Sequence, residues 1–320
     1  MQQVLSFVFF AVGLVMIVKG SDFFLDAVIW CAKILRIPEV IMGATVVSIC
    51  TTLPELTVST ALALEGKTDM ALGNAYGAIT FNTGIILALL IIMLRPSIDK
   101  KKTLRQNALM LFGGIALSFL SGYLFGEFSR IIGCIFIGIF ILYLIKNGFD
   151  AVQEAKDKEK AKEDQTRGEK IFKNIVLFAV GVLGIFFGAQ LMVEHGTKIA
   201  EILGVPEMII ALTMTAVGTS LPELFTTLTA IRKKKSDISI GSALGANTIN
   251  LFLIIGVASA VRPLPLEGAF LARLLPLTAL IILIAFYPVF TKKERYPRHA
   301  GWLALCGYLV YVAALFVSDF

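Results

Sequence analysis

CTTLPEL, Cys50 to Leu56, decides how the chain is to be read. It lies inside 27 mostly apolar residues, Pro38 to Leu64, long enough to cross a bilayer as a helix, yet it carries a proline and an acid. A carboxylate at the centre of a spanning helix costs about 2.5 to 3.5 kcal/mol on insertion scales. The stretch then returns as GTSLPEL, Gly218 to Leu224. Something must offset the same expense twice.

The surroundings fix the class. With 57% hydrophobic and 16% charged residues in 320, there is too little polar surface for a soluble fold, and the chain reads as an integral membrane protein. Apolar runs of spanning length predict ten helices, near residues 3 to 30, 38 to 64, 69 to 94, 104 to 122, 129 to 147, 171 to 200, 206 to 231, 236 to 261, 267 to 290 and 298 to 318. The first run lacks a basic leading segment and a small-residue cleavage site, and Lys19 follows its apolar core, so it reads as a retained helix rather than a signal peptide. Cys31, Cys50, Cys134 and Cys306 stand singly in apolar runs and read as small packing residues.

The net charge of +6 reflects orientation, not a nucleic-acid partner. With the N-terminus outside, inner loops hold Lys33, Arg36, Arg95, Lys100 to Lys102, Arg105, the basic residues from Lys146 to Lys173, Arg232 to Lys235, and Lys292 to Arg298, which is 23 of the 29 basic residues. Outer loops keep Lys67, Arg130, Lys198, Arg262 and Arg273. The positive-inside rule therefore puts both termini outside, the charged middle loop in the cytoplasm and the chain, multi-pass, in the plasma membrane.

Offsetting the chain by 168 residues pairs Pro38 with Pro206, Thr51 with Thr219, Pro54 with Pro222, Glu55 with Glu223, Asp69 with Asp237, Gly77 with Gly245 and Asn82 with Asn250. Seventeen identities in 45 positions at one offset mark a duplication. Five helices per half is an odd number, so the second half enters the membrane from the opposite side, giving an all-α protein of two inverted five-helix repeats, 1–147 and 171–320. Between them, 148–170 contains FDAVQEAKDKEKAKEDQTRGEK, Phe149 to Lys170, which reads as a solvated cytoplasmic linker or an extension of helix five.

Proline has no N–H and clashes with the preceding turn, so Pro54 is expected to kink or break its helix and free carbonyls near residues 50 and 51. Ser48, Thr51 and Thr52 fall at helical spacing on the face of Glu55, and Ala216, Thr219, Ser220 and Glu223 match them in the second half. Each half then adds a glycine-rich segment, GNAYGAITFN from Gly73 and GSALGANTIN from Gly241, ending in Asn82 and Asn250. Carboxylates, hydroxyls, amides and free carbonyls are hard oxygen ligands, suited to Na+, Mg2+ or Ca2+ rather than Zn2+ or copper. Two glutamates balance one divalent cation. The plain alternatives, a structural kink and a small-residue packing seam, explain either feature alone but not their joint duplication.

These motifs resemble the sodium/calcium exchanger family of the cation/calcium antiporter superfamily, over nearly the whole chain. The family carries G-T-S-L-P-E followed by G-N-x-x-G-S-N-x-x-N/D; here the text is CTTLPE with GNAYGAITFN, then GTSLPE with GSALGANTIN. The resemblance implies ten helices, alternating access by sliding of the first helix of each half past the core, and a Ca2+ site flanked by Na+ sites. It implies Glu55 and Glu223 as shared acidic ligands, Asn82 and Asn250 as the central polar pair, Thr51 and Thr219 as lateral ligands, Ser48 and Ala216 as carbonyl donors, with Thr52 and Ser220 beside them. No cofactor, catalytic residue or protein partner is implied; the expected substrates are Ca2+ and Na+ or H+, and the expected state is a monomer.

The departures bear on coupling. Ala78 and Ala246 stand where the family usually has a hydroxyl, Ile79 replaces an amide, Cys50 a glycine, Thr52 a serine and Ser242 an asparagine. Ca2+ for Na+ exchange is the first expectation, and proton-coupled exchange of Ca2+ or another divalent cation, with Glu55 or Glu223 carrying the proton, is the alternative. A channel lacks a filter-like ring here. A hydrolase lacks a paired-Asp or His-rich motif, and Thr51, Thr52 and Ser220 have no nearby base in sequence to activate them.

Overall fold

The computed structural model describes residues 2–98, 101–157, 167–203, 217–266, 268 and 270–317. Its helices are α1 (Gln2–Leu35), α2 (Glu39–Thr51), α3 (Leu53–Leu64), α4 (Thr68–Leu94), α5 (Lys101–Phe125), α6 (Arg130–Asp157), α7 (Arg167–Ile202), α8 (Leu221–Arg232), α9 (Ser236–Val261), α10 (Phe270–Phe290) and α11 (Arg298–Val317). Among the described residues seven of these, α1, α4, α5, α6, α7, α9 and α10, are each long and apolar enough to cross a membrane, and α2 with α3 makes an eighth if the bent pair is one span. The expected run 206–231 is described only from residue 217 onward.

Two boundaries differ from the apolar runs for one reason. α6 continues to Asp157 and α7 begins at Arg167, well into the charged segment. Half of the added residues are Ala, Gln, Glu or Lys, strong helix formers, and none is proline. Hydropathy marks where a helix leaves the membrane, not where it ends.

Burial sorts the helices into a centre and a periphery. The most apolar windows of α4 and α9 are 72% and 78% buried, those of α1 and α7 only 28% each. α2 crosses α9 backbone to backbone: a Cβ on Gly241 would lie 2.1 Å from the Val40 carbonyl oxygen, and one on Gly43 2.1 Å from that of Ile238. No other residue type fits at that crossing. α1 and α7 pack against each other along their length, with Gly13 and Gly188 each directly against the other's carbonyl.

Loops at the two ends are tied by short antiparallel pairs. Glu127 and Phe128, after α5, pair with Leu264 and Pro265, after α9. Ser97, after α4, bridges to Arg295, after α10. Adding 168 to Ser97 gives Pro265, and to Glu127 gives Arg295. The same pair of loops is therefore tied twice, once in each sense.

Candidate cation site

Two helix breaks set the acids. α2 ends at Thr51, the chain leaves helical geometry at Thr52 (φ −90°, ψ 5°), and α3 restarts at a 48° bend. Ser220 shows the same break (φ −88°, ψ 7°) before α8. Pro54 and Pro222 then occupy the second position of a new helix, where the missing N–H leaves no bond unmade. Glu55 and Glu223 follow in the first turn, where the positive end of the helix dipole favours an anion.

The breaks also aim the residues just before them. Thr52 Oγ1 donates to Glu223 Oε1 at 2.9 Å, and Ser220 Oγ donates to Glu55 Oε1 at 3.0 Å. Each half thus holds the other half's acid. Glu55 is fully buried and Glu223 is 3% exposed, and among the described residues neither has a salt-bridge partner. Among the described residues the second oxygen of each carboxylate, Oε2, has no hydrogen-bond partner.

Amides complete the donor set. Asn82 opens a π-helical turn (Asn82–Leu87) in α4, and Asn250 lies in the matching turn of α9 (Ile249–Ile254). Wider turns of this kind re-aim side chains and recur at functional sites. α3 packs on the turn bearing Asn250 and α8 on the turn bearing Asn82. Asn250 Nδ2 donates back to the Ala246 carbonyl at 3.0 Å. That leaves Asn250 Oδ1, together with both amide atoms of Asn82, buried and without partners among the described residues. A buried polar group without a partner costs about 1 to 3 kcal/mol, which makes this set a candidate for binding a cation.

The remaining expected residues divide. Thr51 Oγ1 turns back to the Val47 carbonyl at 3.1 Å, and Ser48 Oγ to that of Thr45 at 3.1 Å. The Ser48 carbonyl itself accepts from the Thr52 N–H at 2.9 Å. Thr219 Oγ1 donates to Asn74 Oδ1 at 3.4 Å. Ala216 lies outside the described residues. Ala78 and Ala246 are fully buried, so each stands where a hydroxyl would be shut away from water.

Two residues were not singled out from sequence. Asn247, fully buried, donates Nδ2 to Thr83 Oγ1 at 2.8 Å, and its Oδ1 has no partner among the described residues. Asn74 Nδ2 donates to Ser59 Oγ at 2.9 Å, bracing α4 against α3 one turn beyond Glu55. Both amides sit inside the quoted glycine-rich segments, and an amide at membrane depth was the available signal. Among the described residues no three of His, Cys, Asp and Glu gather; the site consists of two acids with amides and hydroxyls, an alkali or alkaline-earth donor set.

A family model described as sodium/calcium exchanger protein matches residues 5–147 and 173–317. An uncharacterized membrane protein of Methanocaldococcus jannaschii is 30% identical over 310 residues, covering 96% of this chain and 97% of its own. A sodium/calcium exchanger of Methanosarcina acetivorans is 30% identical over 350 residues, covering 97% and 98%. A solved structure of the sodium-calcium exchanger NCX_Mj superposes with a TM-score of 0.83 at 28% identity, covering 97% of this chain and 99% of that one.

Proposed function

The chain belongs to the sodium/calcium exchanger family, a family of cation/Ca2+ antiporters, and from that premise we propose that it exchanges Ca2+ for Na+ by alternating access. The supporting observation is the reciprocal pair of hydroxyl–carboxylate bonds, which leaves one oxygen on each buried glutamate without a partner among the described residues. Glu55 and Glu223 would share the divalent ion. Asn82 and Asn250 complete its shell through their amide oxygens, and Thr51, Thr219, Ser48 and Ala216 supply flanking ligands.

The architecture proposed is ten spanning helices as two inverted repeats, 1–147 and 171–320, joined by the charged segment 148–170. The twice-tied loops and the matched breaks at Thr52 and Ser220 support it. Positive-inside orientation puts both termini outside a plasma membrane and the charged segment in the cytoplasm. The protein acts as a carrier rather than an enzyme, and as a monomer.

The same charges enforce exchange. Filled by one divalent or by monovalent cations, the two carboxylates are compensated. Empty, they face each other's half in a low-dielectric interior, a penalty that discourages the unloaded carrier from switching sides. Ions on opposite sides then move only in turn.

A second reading concerns the driving ion. The buried methyls of Ala78 and Ala246 remove a Na+ ligand from each half, which favours a proton carried by Glu55 or Glu223 as counter-ion. Uptake of 45Ca2+ into proteoliposomes, driven by an outward Na+ gradient or by an outward proton gradient at clamped potential, separates the two. Na+-driven uptake supports the first reading, and uptake driven only by protons replaces it with the second. Competition by Mn2+ and Mg2+ in the same assay defines the divalent ion.

A further inference from the structure

α1 and α7 form a two-helix unit at the edge of the molecule. Much of their surface is apolar and faces outward, as at Val4, Val8 and Val15 in α1 and at Phe172, Ile175 and Leu183 in α7. They pack mainly on each other, through backbone contacts at Gly13, Gly20, Gly181 and Gly188. At one end, however, α1 is fastened to the centre by charge. Arg232, the last residue of α8, pairs with Asp22. Lys233 Nζ lies 2.5 Å from Asp26 Oδ1 and 3.9 Å from Asp22 Oδ1, and donates to the Asp22 carbonyl at 3.1 Å. Asp22 and Lys233 are only 18% and 21% exposed, sheltered enough to outlast ordinary surface pairs, and the two cations cap the negative end of α8.

The other half has no counterpart. Under the 168-residue offset, Asp22 and Asp26 correspond to Gln190 and Glu194 of α7, and Arg232 and Lys233 to Leu64 and Glu65 at the end of α3. The cations that would complete a mirror latch are replaced by an aliphatic residue and an acid. Glu194 pairs with Lys198 within α7, and Glu65 with Lys67 beside α3. Among the described residues no ion pair joins α7 to α3. In a molecule otherwise matched down to its helix breaks, one end alone is charged to hold among the described residues.

We propose that Asp22, Asp26, Arg232 and Lys233 form a one-sided ionic latch that holds the α1–α7 unit against the core at the end bearing Arg232 to Lys235, and so sets which side of the membrane the resting carrier faces. This rests on the alternating-access reading and, with that reading's orientation, makes the latched end cytoplasmic and the resting state open outward. Releasing the latch moves population toward the inward-open state without touching an ion ligand.

The test is a charge-swap cycle on the full chain in lipid nanodiscs, read by hydrogen–deuterium exchange over residues 22–35 and 226–236 and, in oriented proteoliposomes, by apparent Ca2+ affinity on each face. Lys233→Asp and Asp26→Lys, each alone, are expected to speed exchange in both segments about fivefold, near the upper range for partly exposed pairs, and to shift the outer-to-inner affinity ratio toward the inner face. The double swap Asp26→Lys/Lys233→Asp restores both to near native values. Asp26→Asn, a milder change at a half-exposed site, gives a smaller shift of the same sign and guards against misfolding. Unchanged protection in the single variants, or a double variant as perturbed as the singles, overturns the latch. Absence of Ca2+ exchange in the native protein would instead overturn the antiporter reading, and the deuterium measurement would still score the latch.

Discussion

Replacing Glu55 by Gln removes one charge and almost no volume, so its effect isolates the electrostatics of the pair. Ser220 donates to Oε1, a bond the amide oxygen of Gln keeps. The amide nitrogen then takes the place of Oε2, which has no partner among the described residues, and turns two donors toward the ion. At an effective dielectric of about 20, unit charges about 4 Å apart attract by about 4 kcal/mol, and a divalent ion by about twice that. Even if desolvation cancels half, about 4 kcal/mol remains, a loss of roughly three decades in affinity. Glu223→Gln loses as much, because Thr52 holds it in the same way. The assay is Ca2+-concentration dependence of 45Ca2+ exchange in proteoliposomes, with size-exclusion profiles and thermal melts to confirm folding. Removing a buried carboxylate leaves the ion-free protein at least as stable as the native one. Half-saturation within tenfold of native in both variants would refute the assignment of the divalent ion to this pair.

Other perturbations have defined outcomes. Thr52→Ala leaves Glu223 Oε1 buried without its donor, so the ion-free protein should lose about 1 to 3 kcal/mol, with the deficit shrinking at saturating Ca2+; Thr52→Ser, which keeps the hydroxyl, should melt as native. Gly241→Ala drives a methyl into the Val40 carbonyl, 2.1 Å from its ideal position. Prying α2 from α9 should cost about 1 to 3 kcal/mol or more, seen as a lower melting temperature in detergent. Ala78→Ser and Ala246→Ser together restore the two hydroxyls and should raise the Na+-driven share of Ca2+ uptake relative to the proton-driven share. No change in that ratio would remove the alanines from the question of coupling.

Much of the candidate site's geometry was legible because duplication repeats its signal. The LPE stretches located both acids and both helix breaks, and the glycine-rich segments located Asn82 and Asn250. The crossing of partners was not legible. Thr52 and Ser220 were expected on the face of the acid in their own half, and the structure sends each to the other half's acid, a consequence of where α3 and α8 meet rather than of spacing along either. Thr51 and Ser48 shared that face on a helical count, but their hydroxyls satisfy carbonyls of their own helix, the usual recourse of a hydroxyl inside an apolar helix. The π turns at Asn82 and Asn250 leave no pattern in the sequence. Asn247 and Asn74 were passed over inside motifs already quoted, because attention went to the residues that end them.

The most direct test of the central claim, that a shared pair of buried glutamates makes this an obligatory exchanger, is Ca2+ counterflow. Proteoliposomes loaded with 45Ca2+ are diluted, at equal pH and clamped potential, into medium with or without unlabelled Ca2+ and free of Na+. The expected result is tracer exit stimulated at least about tenfold by external Ca2+, since an uncompensated carboxylate pair returns slowly, and abolished in Glu55→Gln and Glu223→Gln. Rapid exit into ion-free medium, or exit unaffected by the two substitutions, would contradict it.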